Sequence, residues 1–235
     1  MDGHAGLMWC STHLSRRVSL MSTPARYPVP AGRHRVHEEI SRSRFVTTVA
    51  RVESIDAATA FVGDVRREFD DATHSCWAYV VGPPGDTGRV GMSDDGEPHG
   101  TAGRPMLTML LHSGVGDVAA VVTRYYGGTK LGTGGLVRAY SGGVQKALAT
   151  MPRGEHVERT TVEIVVPYAA VSAMQQIFPA FEAEVVAERY ETDVRYEVRL
   201  PGAGVAGLRA AVLDATRGQA RITLSSSSGS TPGSS

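Results

Sequence analysis

Val118-Ala119-Ala120-Val121-Val122-Thr123-Arg124-Tyr125-Tyr126-Gly127-Gly128-Thr129-Lys130-Leu131-Gly132-Thr133-Gly134-Gly135-Leu136-Val137-Arg138-Ala139-Tyr140 is the stretch from which the fold is read. Val118 to Tyr125 is an apolar run of strand length, and Leu136 to Ala149 reads as a helix with Ala139, Val144 and Leu148 inward. Between them lies a corner of glycines, which suit tight turns and close backbone approach. The N–H groups at a helix start carry about half a positive charge, and glycines let an anion reach them. Arg124, Lys130 and Arg138 add full charges, and five basic residues with no acidic one stand between Asp117 and Glu155. The candidate anion- or RNA-binding set is therefore Arg124, Tyr125, Gly127, Gly128, Lys130, Gly132, Gly134, Gly135 and Arg138. The spacing fits neither a Walker P-loop nor the dinucleotide fingerprint.

Upstream, Ser93-Asp94-Asp95-Gly96-Glu97-Pro98-His99-Gly100-Thr101-Ala102-Gly103-Arg104-Pro105 places three carboxylates between a strand, Arg89 to Ser93, and a helix. The helix is expected to start near Pro98 and to turn Met106, Leu107, Leu110 and Leu111 inward. Asp94, Asp95, Gly96, Glu97, Gly100, Thr101 and Gly103 form this motif loop. Its carboxylates have two readings. They could pair with Arg104, Arg124, Lys130 and Arg138 as a network that pins two loops, or they could serve as general base or metal ligand of an enzyme on a phosphorylated small molecule. The spacing is not that of an EF-hand, and no metal or other cofactor is expected. In His74-Ser75-Cys76, which leads into a strand ending at Val81, a buried thiol beside a hydrogen-bonded imidazole is expected rather than a nucleophile.

Further outward, Val36 to Ile40 and Phe45 to Val52 read as strands, and Asp56 caps a helix to Asp70. After a linker, Met151 to Gly154, the order is strand (157–166), helix (169–178), strand (182–188), strand (193–200), helix (203–216), strand (219–224). This βαββαβ order is the ferredoxin-like arrangement. Residues 1–31, mixed and aperiodic, are expected to be a disordered extension, and 225–235, built of Ser, Gly, Thr and Pro, a disordered tail. The domains are thus 32–152 and 155–224.

Composition agrees. Sixteen of the 27 glycines fall between Gly82 and Gly143, where average usage puts roughly four. Two cysteines are too few for a disulfide framework, so a reducing, cytoplasmic setting is expected. The longest aliphatic run, Val118 to Val122, is far short of a membrane span. The formal charge of zero excludes a strongly basic, histone-like protein.

Several segments together resemble the YigZ/IMPACT family: Ser43-Arg44-Phe45, Ala72-Thr73-His74-Ser75-Cys76-Trp77-Ala78-Tyr79, Asp94-Asp95-Gly96-Glu97-Pro98 with Gly100-Thr101-Ala102-Gly103 and Pro105, and Arg124-Tyr125 through Tyr140. The resemblance implies an α+β protein. Its N-terminal domain would be a ribosomal-protein and elongation-factor-like α/β sandwich with a left-handed βαβ crossover, followed by the C-terminal ferredoxin-like domain of bacterial members. It also implies a regulator of translation with nucleic-acid or ribosome binding; together with the basic corner this makes a non-enzymatic protein that binds RNA or a ribosomal particle the leading expectation, with a protein-interaction module as a further one. Nothing here resembles the amino-terminal interaction domain of eukaryotic members.

Overall fold

The computed structural model describes residues 26–224. The expectations for residues 1–25 and for the tail 225–235 lie outside the described residues.

The chain is an α+β protein of two domains. The first contains β1 (Arg26–Pro30), β2 (His34–Ile40), β3 (Ser43–Arg51), α1 (Ile55–Glu68), β4 (His74–Val80), β5 (Val90–Ser93), α2 (Gly103–Leu111), β6 (Val118–Tyr125) and α3 (Gly132–Thr150). Its sheet runs β2-β3-β6-β4-β5 with every neighbouring pair antiparallel. Strands β3 and β4 are therefore parallel to each other across β6, and α1 is the crossover between them. Ser54, and not the expected Asp56, caps α1 by accepting the N–H of Ala57 at 3.0 Å, and Asp56 lies in the first turn.

This topology explains the apolar run of β6. Val118, Ala120 and Val122 pack with Met106, Leu110, Tyr140 and Val144 beneath α2 and α3. Ala119 and Val121 meet Ala58, Val62 and Val65 of α1 on the other face. A strand covered on both faces cannot alternate with polar residues. Burying a side chain of this size stabilises the fold by about 1.5–3 kcal/mol, which fixes the strand that carries Arg124 into the corner.

Two expectations are corrected at the domain junction. The end of the supposed disordered extension is β1, and the supposed linker begins β7 (Arg153–Val157); the two pair antiparallel from Arg26↔Val157 to Pro30↔Arg153. Tyr27 and Val29 are buried on one side of β1. Prolines at 28 and 30 are tolerated because this ribbon has only one partner strand. At the junction, Asp117 accepts hydrogen bonds from the Tyr27 hydroxyl at 2.9 Å and the Gly82 N–H at 2.7 Å. Burial, then Asp117, pushes the Tyr27 hydroxyl well above its ordinary pKa.

The second domain contains β8 (Arg159–Val166), α4 (Val171–Ala180), β9 (Glu184–Tyr190), β10 (Val194–Pro201), α5 (Val205–Ala215) and β11 (Arg221–Leu224). Its antiparallel sheet has the order β11-β8-β10-β9. This is the ferredoxin-like arrangement. Met174, Phe178, Leu208 and Val212 from the helices pack on Val162, Ile164, Val198 and Leu200 from the sheet. Among the described residues, no helix is long and apolar enough to cross a membrane.

Candidate functional site

The corner begins where β6 delivers Arg124 and Tyr125. Gly128 and Gly132 have φ of +82° and +69°, values that favour glycine, and they steer the chain into α3. The helix starts at Gly132 rather than at Leu136, so Gly134 and Gly135 lie in its first turn instead of in the loop. No side chain caps that turn, and its leading N–H groups keep their partial positive charge.

The acidic loop behaves differently from a carboxylate cluster. Asp94 accepts the N–H groups of Gly100, Ala102 and Gly103 at 2.8, 3.0 and 2.8 Å, which closes the turn that opens α2. The helix therefore starts at Gly103 and not near Pro98. Gly103 packs so tightly that a Cβ there would lie 2.9 Å from the Ser93 backbone. Asp95, at φ +42°, turns the other way: it accepts the Ser75 N–H at 2.7 Å and pairs with Arg66 of α1. Its carbonyl accepts Nδ1 of His74 at 2.8 Å. The Thr101 hydroxyl donates to the Pro98 carbonyl at 2.6 Å.

Burial alone would raise the Asp94 carboxyl, but the three N–H bonds outweigh it and hold the group below its usual range. Stability from Asp94 is therefore complete above the unfolded value, about 4, and is lost as pH falls through the lower folded value. Asp94→Asn is expected to cost about 1–3 kcal/mol at neutral pH. The gap from wild type should shrink below about pH 4, read from urea unfolding at several pH values; a gap of constant size would contradict the assignment.

Glu97 turns inward. Its Oε1 accepts Arg124 Nη1 and the Tyr140 hydroxyl, each at 2.7 Å, and the carboxylate and guanidinium side chains are only 4% and 6% exposed. Arg124 also approaches the Ser43 hydroxyl at 3.4 Å and lies between the rings of Phe45 and Tyr126 at 5.4 and 5.5 Å. Its Nε–H is buried and has no partner. Burial pushes the Tyr140 hydroxyl far above its ordinary pKa. Of the network expected from the sequence, the pair Glu97–Arg124 forms. The partner of Asp95 is Arg66, and among the described residues Arg104, Lys130 and Arg138 make no salt bridge.

A cleft of about 510 Å³ opens above this pair, lined by His74, Gly96, Glu97, Pro98, Arg124, Tyr126 and Lys130, with Leu131, Gly132, Thr133 and Leu136 from the start of α3. The structure thus brings Gly96, Glu97, Arg124, Lys130 and Gly132 to one place. Other expected site residues lie elsewhere. Tyr125 donates to Asp71 at 2.7 Å and stacks under Arg44 at 3.9 Å, the Gly127 N–H donates to Ser43 Oγ at 3.2 Å, and Arg138 is exposed on α3 outside the cleft. His74, Pro98, Tyr126, Leu131, Thr133 and Leu136 line the cleft without belonging to the expected set. The signal for His74 was its place in the Ala72–Tyr79 motif.

Cys76 is fully buried, and its thiol donates to the Asp94 carbonyl at 2.9 Å. Burial pushes it up to about 12, so it is not a thiolate near neutral pH. Among the described residues, no group of three or more His, Cys, Asp or Glu is placed to hold a metal ion.

With the cleft located, comparison with known proteins places its elements. Residues 41–148 match the Impact N-terminal domain, and 164–219 match a domain of unknown function, DUF1949. The chain is 43% identical over 194 residues to the IMPACT family member YigZ of Escherichia coli (strain K12), covering 83% of this chain and 95% of that protein. It is also 43% identical over 170 residues to an IMPACT family member of Haemophilus influenzae, covering 72% and 82% of the two chains. A crystal structure described as that of a hypothetical protein matches with a TM-score of 0.63 at 42% identity, over 84% of this chain and 96% of its own. The first match ends inside α3, so it spans the whole cleft, and the chain belongs to the IMPACT family.

Proposed function

We propose that the chain is a non-enzymatic regulator of translation that binds RNA, as such or within a ribosomal particle, through the cleft between the acidic loop and the start of α3. One observation carries this reading. Each carboxylate of the acidic loop is engaged by the fold, Asp94 by backbone N–H groups, Asp95 by Arg66 and Ser75, and Glu97 by Arg124 and Tyr140. The cleft therefore offers Lys130 and the uncapped start of α3 to an anion, with no unpaired carboxylate beside them. Tyr126, 48% exposed at the rim, supplies a ring on which a base can stack. The same observation weakens the enzyme reading, because a carboxylate held by three N–H groups or by an arginine is a poor general base. The translational setting rests on the family resemblance.

Binding to single-stranded RNA should weaken with salt. Lys130→Ala is expected to reduce the slope of log K against log salt concentration by about 0.7, the share of one phosphate contact on a single strand. Fluorescence anisotropy with a labelled oligonucleotide across a salt series reads it. An unchanged slope for Lys130→Ala would overturn the reading. The same reduction for Arg138→Ala would move the binding surface from the cleft to the outer face of α3.

A further inference from the structure

We propose that the cleft holds one ribonucleotide unit of a single-stranded RNA and tells RNA from DNA by a hydrogen bond from the ribose 2′-hydroxyl to Nε2 of His74; this rests on the RNA-binding reading and specifies what that site selects.

The tautomer of His74 is set by its neighbour. Nδ1 lies 2.8 Å from the Asp95 carbonyl, and a carbonyl oxygen only accepts. Nδ1 therefore carries the proton, and in the neutral ring Nε2 is left as a bare acceptor. The ring is held in place by the loop as well: a Cβ on Gly96 would lie 3.3 Å from Nδ1. Nε2 has no partner among the described residues, and His74 lines the cleft.

Among the other charged groups of the cleft wall, the Glu97 carboxylate is already taken up by Arg124 and Tyr140, and what remains on offer is positive charge and donors. Lys130 and the N–H groups of Gly132 and Thr133 stand at the mouth of α3. Beneath Tyr126 lies Arg124, whose side chain is only 6% exposed, with an Nε–H that no protein atom accepts. Arg124 has its charge neutralised by Glu97 but not its donor capacity. Tyr126, Pro98, Leu131 and Leu136 provide the apolar surface.

The volume of about 510 Å³ falls among those of sites that take a single small unit, about 300–1,000 Å³. A ligand matched to this set carries an anion for Lys130 and the helix start, a flat face for Tyr126, and one donor for His74. A ribonucleotide has all three: phosphate, base and 2′-hydroxyl. A deoxynucleotide lacks the donor and leaves Nε2 without a hydrogen bond. The 2′-hydroxyl is the group by which a protein distinguishes RNA from DNA at a given position.

The test compares three labelled octanucleotides of one pyrimidine-rich sequence, as RNA, DNA and 2′-O-methyl RNA, on the full chain near neutral pH. RNA is expected to bind about 5- to 10-fold more tightly than either of the others, the worth of one hydrogen bond and its unmade counterpart. In His74→Ala, RNA affinity should fall to the DNA level while DNA affinity stays where it was. His74→Gln, whose amide oxygen can accept, should recover part of the RNA preference, and it serves as the informative variant if His74→Ala does not fold. Equal binding of the three oligonucleotides to the wild-type chain would overturn the proposal and leave nucleic-acid binding standing. Absence of binding to all three would overturn both. A His74→Ala chain that loses RNA and DNA affinity alike would assign His74 a purely structural role and also overturn it.

Discussion

Glu97→Ala is expected to lower the unfolding free energy by about 3–5 kcal/mol, the cost of leaving one member of a buried ion pair without its counter-charge. The pair it breaks is 4% and 6% exposed, so water cannot take over the solvation of Arg124. Oε1 of Glu97 is also the acceptor for the Tyr140 hydroxyl, and Tyr140 is itself fully buried against Phe45, their rings edge to face at 5.6 Å. One substitution therefore orphans a charge and a hydroxyl in the core between β6 and α3.

The double variant Glu97→Ala with Arg124→Met sharpens the expectation. Removing both charges abolishes the uncompensated one, and most of the loss should return, because a buried pair owes its large deletion cost to the partner left behind. Urea unfolding of the two single variants and the double variant forms the cycle, and a coupling near zero would contradict the geometry. The result also bears on function. A Glu97 that served as a catalytic base would leave stability nearly unchanged on conversion to glutamine, whereas Glu97→Gln here still leaves Arg124 charged and buried.

The sequence made the framework legible where one physical demand acts at a time. The uninterrupted apolar run of β6 and the alternation of Val194, Tyr196, Val198 and Leu200 with Arg195, Glu197 and Arg199 report burial on two faces and on one. The glycine corner was legible as a close approach. The acidic loop was not, because Asp94, Asp95 and Glu97 are neighbours in sequence and strangers in space. The left-handed residues Asp95 and Gly96, at φ +42° and +83°, send the three carboxylates to a helix start, a surface arginine and the core. Nothing local marks Arg66, far back on α1, as the partner of Asp95. The ribbon of β1 and β7 was hidden for a similar reason: its two strands lie at opposite ends of the first domain's sequence, and two prolines mask the strand pattern. His74 escaped as a site residue because the role proposed for it depends on which nitrogen the Asp95 carbonyl engages, a tertiary fact.

Adjacent glycines in the corner should respond very differently to the same methyl group, and the larger effect belongs to Gly127. A Cβ at Gly127 would lie 1.9 Å from the Arg42 carbonyl oxygen, 2.1 Å from its carbon and 2.6 Å from the Ser43 nitrogen. All three atoms are backbone, so no side chain can swing aside. They belong to the tight turn between β2 and β3, where Ser41 and Arg42 have φ of +49° and +66° and Ile40 pairs directly with Ser43, the geometry of a two-residue hairpin. The turn can give way only by moving Ser43. Its hydroxyl receives the Gly127 N–H and approaches Arg124, so the buried pair beneath the cleft is disturbed as well. Gly127→Ala is expected to cost about 3 kcal/mol or more, at the upper end of what overpacking imposes, and to abolish the RNA binding proposed for the cleft. At Gly128, with φ +82° and open space for 4 Å around the point a methyl would occupy, alanine faces only the left-handed backbone penalty of about 1–2 kcal/mol. Unfolding midpoints of the two variants, measured side by side, decide the matter: equal losses would mean that the approach of the corner to the β2–β3 turn is not what requires Gly127.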